Sequence, residues 1–243
     1  MSRRIRPLTN DIPKCLLPIP FLKSFIEYQI SELEKHGVEF IIVVGGYKIS
    51  ALEKYIDSRN FSSDIRILFN PEYDTKNNCY SLYLAFKYLN EIGLLQSRNI
   101  ILINSDVIFH PKIFEKIFKS DLKSHTLVID DRKTLTPEDM KVKVEAGRIV
   151  KISKQLALED AYGEYIGIAY FYHKDNLLLL ESLEQVVNNQ PNEYYEGAFQ
   201  LLIDQYNYSF DMITTDGFFW TEVDTVEDYD RLNSVTEKFF KTM

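Results

Sequence analysis

Phe40-Ile41-Ile42-Val43-Val44-Gly45-Gly46 is the stretch that decides the fold. Five apolar residues in a row, four of them β-branched, read as a buried strand, and the glycine pair stops it. Upstream, Leu22, Ile26, Ile30 and Leu33 recur at helical spacing, with Gly37 as the stop. Downstream, the pattern predicts a helix from Ser50 to Ser58, a strand Ile65-Arg66-Ile67-Leu68-Phe69 closed by Asn70-Pro71, a helix from Ser81 to Ile92, and a second wholly apolar strand, Ile100-Ile101-Leu102-Ile103. Such alternation predicts an α/β fold: a mostly parallel sheet covered by helices on both faces, with ligands collecting beyond the carboxyl ends of the strands.

The second half changes style. Met140-Lys141-Val142-Lys143-Val144 and Arg148-Ile149-Val150-Lys151-Ile152 alternate apolar with charged residues around Glu145-Ala146-Gly147, a hairpin with one wet face. A strand from Tyr165 to Tyr172, a helix from Asn176 to Val187 and a final helix from Val226 to Phe240 follow. With 243 residues, 45% of them apolar, the chain suits one domain with a full core, its halves dividing near residue 110. The net charge of −8 argues against unaided binding to nucleic acid or an anionic membrane. No apolar run reaches the roughly 20 residues of a spanning helix, no secretory leader is visible, and two cysteines, Cys15 and Cys79, make neither a zinc pattern nor a disulfide framework. A cytoplasmic protein is expected.

Some polar residues stand where chemistry collects. Asp106, in Asn104-Ser105-Asp106, follows the apolar strand at its carboxyl end, although such an aspartate is as often a turn former or helix cap. Asp224, in Trp220-Thr221-Glu222-Val223-Asp224-Thr225, precedes the last helix, and its plain reading is that helix's cap. Arg4 and Lys14, in Arg4-Ile5-Arg6-Pro7-Leu8-Thr9 and Ile12-Pro13-Lys14-Cys15-Leu16, would in isolation be ordinary surface cations. His36, His110, His125 and His173 lack metal-ligand spacing.

Taken in order, these motifs resemble the sugar-1-phosphate nucleotidyltransferase family, whose pattern runs G-x-G-x-R-x-x-P-L-T, then P-K-x-L, a G/S-D element after a central strand, and W-x-E-V/I-D-T near the end. Asn70-Pro71-Glu72-Tyr73 with Asn77-Asn78-Cys79-Tyr80-Ser81-Leu82, and Glu138-Asp139-Met140-Lys141-Val142, are similar to the CTP-dependent phosphocholine and alcohol-phosphate branch. The resemblance implies a three-layer, Rossmann-like (GT-A-like) mixed sheet with a small β lobe over the acceptor site. It implies that Asp106 and Asp224 hold Mg2+, which takes hard oxygen ligands from one or two carboxylates plus substrate phosphates. Arg4 would hold the β and γ phosphates of the incoming CTP and Lys14 would face its α-phosphate. Gly45-Gly46-Tyr47, Asn78 and Ser81 would serve the nucleotide, capping being the plain alternative for the last two. Lys141 would hold the phosphate of a small phosphorylated acceptor, with Lys154, Glu164, Tyr195 and Glu196 around it; aromatic faces beside a carboxylate suit a quaternary ammonium.

The family opens with a strand ending in two glycines, whereas this chain begins at Met1, with Ser2 at the second glycine position. A first strand is therefore expected to be missing. Two rival readings stay open: a UTP-, dTTP- or GTP-dependent hexose-1-phosphate enzyme, and a nucleotide-binding paralogue without turnover. Dimers are common among such enzymes, but no stripe in this sequence marks an interface.

Overall fold

The computed structural model describes residues 3–20 and 22–240. The glycine-loop position at Met1-Ser2 lies outside them. In chain order the elements are α1 (Phe25–Lys35), β1 (Phe40–Gly45), α2 (Ile49–Asp57), β2 (Asp64–Phe69), α3 (Asn78–Glu91), β3 (Ile100–Ile103), β4 (Val107–Phe109), α4 (Pro111–Lys119) and β5 (Thr126–Asp130). There follow β6 (Lys141–Glu145), β7 (Arg148–Ser153), β8 (Gly163–Phe171), α5 (Asn176–Asn189), α6 (Tyr195–Tyr206), β9 (Asp211–Thr214), β10 (Trp220–Glu222) and α7 (Val226–Phe240). They form two compact units, one of residues 1–71, 103–118 and 218–243, the other of residues 72–102 and 119–217.

In the first unit, Ser24 caps α1 by accepting from the Glu27 amide at 3.3 Å, and Gly37, at φ +76°, lets the chain turn out of the helix. Polar residues on the buried face of α1 have a specific use. Gln29 Nε2 donates to the carbonyls of Asn104 and Val107, both at 2.9 Å, and the Tyr28 hydroxyl donates to that of Phe109. Helix α1 thereby supports the turn between β3 and β4. Strand β4 pairs antiparallel with β10, Val107 opposite Glu222, and Phe25, Phe109, Phe114 and Val223 are all buried in this unit. Strands β1 and β2 form a separate parallel pair, from Phe40 opposite Asp64 to Gly45 opposite Phe69. The apolar run of β1 is less covered than its composition predicts. Ile41 alone of its residues is buried, because among the described strands β1 has only β2 beside it.

The second unit carries a six-stranded sheet in the order β7-β6-β8-β5-β9, with β3 joined to β8. Pairing is parallel between β5 and β9 and antiparallel between β5 and β8, β6 and β7, and β6 and β8. The α/β class and the mixed sheet agree with the sequence, while antiparallel pairing takes a larger share than the apolar runs suggest. The predicted hairpin is β6–β7, turned through Ala146 and Gly147 at φ +47° and +78°, values that match the twist of the flanking strands. Helices α3, α5 and α6 pack together, and Phe86, Phe171, Phe199 and Phe210 form a buried aromatic core with ring centroids 5.4–5.7 Å apart. Gly163 is required where β8 begins, since a Cβ there would lie 2.6 Å from the Asp130 carbonyl oxygen.

Candidate active site

In the first unit the chain after Pro13 makes a tight turn, with the Leu16 amide on the Pro13 carbonyl at 2.9 Å and the Leu17 amide on that of Lys14 at 3.0 Å. Cys15, Leu16 and Leu17 are buried by this turn. Lys14 turns inward with them, its side chain only 7% exposed, and its Nζ lies 2.6 Å from Asp106 Oδ2 and 3.0 Å from Asp224 Oδ1. Burial works against the ammonium, but Asp106 and Asp224 outweigh it and raise the Lys14 pKa, so the charge is held. Arg4 reaches the other oxygen of Asp224 at 2.8 Å from an exposed position. Four residues far apart in sequence therefore meet as the motif order implied.

Neither aspartate is a helix cap, although Asp106 does stand in the turn between β3 and β4. Asp106 is followed directly by β4, so no helix begins there for it to cap. Helix α7 is capped by Thr225 and Asp228: Asp228 Oδ2 accepts from the Thr225 amide at 3.0 Å and its hydroxyl at 2.9 Å, while Thr225 Oγ1 accepts from the Asp228 amide at 3.1 Å. Asp228 also takes the Asp224 amide at 3.2 Å, which leaves the Asp224 carboxylate to the two cations. Register brings a third carboxylate: Glu222 ends β10 opposite Val107, and one carboxylate oxygen each of Asp106, Glu222 and Asp224 lie within 4.8 Å of one another. Three hard oxygen donors gathered around a position that already attracts an ammonium fit a divalent cation of the magnesium kind. Glu222 was missed in the sequence, although its i, i+2 relation to Asp224 in an extended segment is the signal that finds it.

The glycine loop at the end of β1 is tied to the first loop. Tyr47 donates its hydroxyl to the carbonyls of Thr9 and Asn10, at 3.1 and 2.8 Å, and Gly45 accepts the Asn70 amide at 2.8 Å. Gly46 follows Gly45 directly in this loop.

In the second unit Asn77, not Asn78, caps α3; Asn78 Oδ1 accepts the Tyr195 amide at 3.1 Å, joining the start of α3 to the start of α6. Ser81 is half-buried on α3. Glu196 is buried in the first turn of α6, its Oε2 without a partner among the described residues, and burial raises its pKa to about 7. The Tyr195 and Tyr165 hydroxyls meet at 3.3 Å beside it, and Lys154, whose charge acts on Glu196, places its Nζ 5.1 Å from the Tyr194 ring centroid. Lys141 differs from what the resemblance implied. It is buried, and its Nζ donates to the backbone carbonyls of Thr136, Pro137 and Asp139 at 3.4, 2.9 and 3.1 Å, so that it braces the 136–139 loop. Lys133, which no motif marks, lies 2.5 Å from Glu164 Oε2 and 3.3 Å from Asp139 Oδ1 at the carboxyl end of β5. Burial raises the Glu164 carboxyl, with Lys133 opposing the shift.

The sequence profile of a domain of unknown function, DUF6564, matches residues 15–132, just under half of the chain. The CTP:phosphoglutamine cytidylyltransferase of Campylobacter jejuni is 25% identical over 242 residues, covering 93% of this chain and 92% of that one. The choline-phosphate cytidylyltransferase of Streptococcus pneumoniae is 30% identical over 162 residues, 62% of this chain and 63% of that protein. Among solved structures, the inositol-1-phosphate CTP transferase of T. maritima has a similar fold, with a TM-score of 0.77 over 97% of this chain and 92% of that one, at 22% identity. The relatives and structural neighbours of this chain are thus sugar-phosphate and alcohol-phosphate nucleotidyltransferases, and the chain shares their fold. No helix among the described residues is long and apolar enough to cross a membrane.

Proposed function

We propose that the chain is a magnesium-dependent cytidylyltransferase that transfers CMP from CTP to a small phosphorylated alcohol or amino alcohol and releases pyrophosphate. The observation that carries this reading is the Lys14 ammonium held between Asp106 and Asp224, two carboxylates with no capping duty, in a chain whose relatives are named as cytidylyltransferases.

An oxygen of the acceptor phosphate attacks the α-phosphorus of CTP, the bond to the bridging oxygen of the β-phosphate breaks, and that oxygen leaves with pyrophosphate. No enzymic nucleophile is needed. Lys14, fixed by the turn after Pro13, stabilises charge on the α-phosphate, and Arg4 holds the departing phosphates. Fixed cations of this kind are worth about 3 kcal/mol each where water is excluded. Asp106, Asp224 and Glu222 would hold the magnesium, which, when bound, neutralises phosphate charge. In the second unit Lys154, Glu164, Tyr195 and Glu196 hold the acceptor; Lys141 serves them by setting the loop that includes Asp139.

The test is pyrophosphate release with each of the four ribonucleoside triphosphates and a panel of phosphocholine, phosphoethanolamine, 2-aminoethylphosphonate, inositol phosphate and hexose 1-phosphates. Turnover confined to CTP is expected, with Asp106→Asn and Asp224→Asn each losing on the order of 100-fold or more in kcat. Wild-type rates in either variant at saturating magnesium would refute the metal assignment.

A further inference from the structure

We infer that Lys14 occupies the cation position of the Asp106–Asp224 site, so that this chain binds a divalent cation tightly only when a polyphosphate draws the ammonium away. The inference deepens the function proposed above, and it depends on that reading only for which polyphosphate is used.

The geometry leaves little room for both cations. A magnesium or manganese ion sits about 2.1 Å from each carboxylate oxygen, so two oxygens sharing one ion lie no more than about 4.2 Å apart. One carboxylate oxygen each of Asp106, Asp224 and Glu222 lie within 4.8 Å of one another, a bound slightly wider than that limit, and the Lys14 Nζ is within 3.0 Å of an oxygen of each aspartate. An ion reaching Asp106 and Asp224 therefore enters the volume that the ammonium fills, and the two like charges repel at close range. The Lys14 side chain is 7% exposed, so it cannot simply retreat into water. Leaving the carboxylates without new oxygen acceptors would strand a buried charge. Phosphate oxygens are the acceptors a polyphosphate brings. Cation and polyphosphate then favour one another reciprocally, as any two ligands must when each lowers the cost of binding the other.

Arg4 does not serve as the stand-in. Its side chain is 70% exposed and reaches Asp224 Oδ2, so it can swing to solvent. The turn after Pro13, by contrast, holds Lys14 from beneath through buried Cys15, Leu16 and Leu17.

The experiment is binding of Mn2+ alone to the full chain, read as free Mn2+ by electron paramagnetic resonance, with no nucleotide present. The wild type is expected to bind weakly. Lys14→Met, which keeps the volume and removes the charge, is expected to bind at least about tenfold more tightly, within the usual range of coupling between sites. Lys14→Arg keeps a cation in place and should stay as weak as the wild type. Adding Asp106→Asn to Lys14→Met should abolish the gain, which locates the ion. Thermal unfolding gives a second readout and a check on folding: Mn2+ should raise the melting temperature of Lys14→Met more than that of the wild type. Lys14→Gln, with the same expectation, replaces the methionine variant if that one does not unfold cooperatively. Equal Mn2+ affinity in wild type and the neutral variants would overturn the inference, as would a gain that survives Asp106→Asn. Failure of the cytidylyltransferase reading has a different signature, namely the Mn2+ gain without CTP-specific turnover.

Discussion

Glu196→Gln should remove one contribution to acid stability in the second unit. Glu196 is buried in the first turn of α6, and burial lifts its carboxyl to about 7 from an ordinary value of 4.5. A carboxyl raised in this way contributes stability that is fully present below pH 4.5 and is lost as pH rises through about 7. The shift of about 2.5 units corresponds to about 3 kcal/mol. In the same unit His125 does the opposite. It is fully buried among Phe171, Tyr208 and Phe210, its Nδ1 accepts the Tyr172 amide at 3.0 Å, and burial pushes its pKa from 6.5 down to about 4. The stability carried by neutral His125 is present above pH 6.5 and is lost as pH falls through about 4, again about 3 kcal/mol. Over nearly the same interval the two groups offset each other.

Urea unfolding at half-unit steps from pH 8 to pH 4 separates them. Relative to the wild type, Glu196→Gln should lose about 3 kcal/mol on acidification, because the neutral amide no longer gains the proton that Glu196 takes up. His125→Asn, whose side-chain oxygen can still accept from Tyr172, should gain by about the same amount relative to the wild type over that span, whatever constant penalty its smaller size brings. Parallel pH profiles for the wild type and Glu196→Gln would refute the reasoning, since they would mean that the carboxyl does not titrate between the folded and unfolded states.

Acceptor chemistry can be read from the same carboxyl. An acceptor carrying an ammonium should drive Glu196 to ionise and release protons at pH 7, which calorimetry in buffers of different ionisation heat detects; a neutral polyol phosphate should release none through Glu196. Gly163→Ala should destabilise by about 3 kcal/mol, measured by urea unfolding, because its Cβ would press on the Asp130 backbone at 2.6 Å. Thr225→Ala should cost about 1 kcal/mol and Thr225→Ser much less, because serine keeps the oxygen that caps α7; equal losses in the two variants would mean that the cap is not what matters.

Much of the fold was legible because it is written in long periodic segments. The spacing of Leu22, Ile26, Ile30 and Leu33 predicts α1, and the charged–apolar alternation around Gly147 predicts the β6–β7 hairpin with its turn. The short elements were harder to see. Val107-Ile108-Phe109 and Trp220-Thr221-Glu222 are only three residues each, and pairing with each other is what makes them strands. Helix α6 hides its start behind paired tyrosines and Gly197. At the site, residue type and motif order pointed to Asp106, Asp224, Lys14 and Arg4, which the fold brings together. What a single sequence does not hold is the competition for each polar atom: whether Asp224 or Thr225 caps α7, whether Asn78 serves α3 or α6, and whether Lys141 is open or satisfied by carbonyls. Long-range register settles those, and register is absent from local pattern.

The first unit is assembled from three separated stretches of chain, and its cluster of charged side chains draws on all of them: Lys14 from the first, Asp106 from the second, Glu222 and Asp224 from the last. During synthesis, Lys14 and Asp106 emerge from the ribosome well before the strand that completes their site. A ribosome adding about 5–20 residues per second needs several more seconds to deliver residues 218–228 after Asp106 has appeared. Until then β4 lacks its partner β10, and Lys14 has only half of its final charge environment. A nascent chain therefore cannot display the finished cluster, and a ribosome stalled before Trp220 would present β4 with an unpaired apolar edge, the kind of surface that holding chaperones recognise.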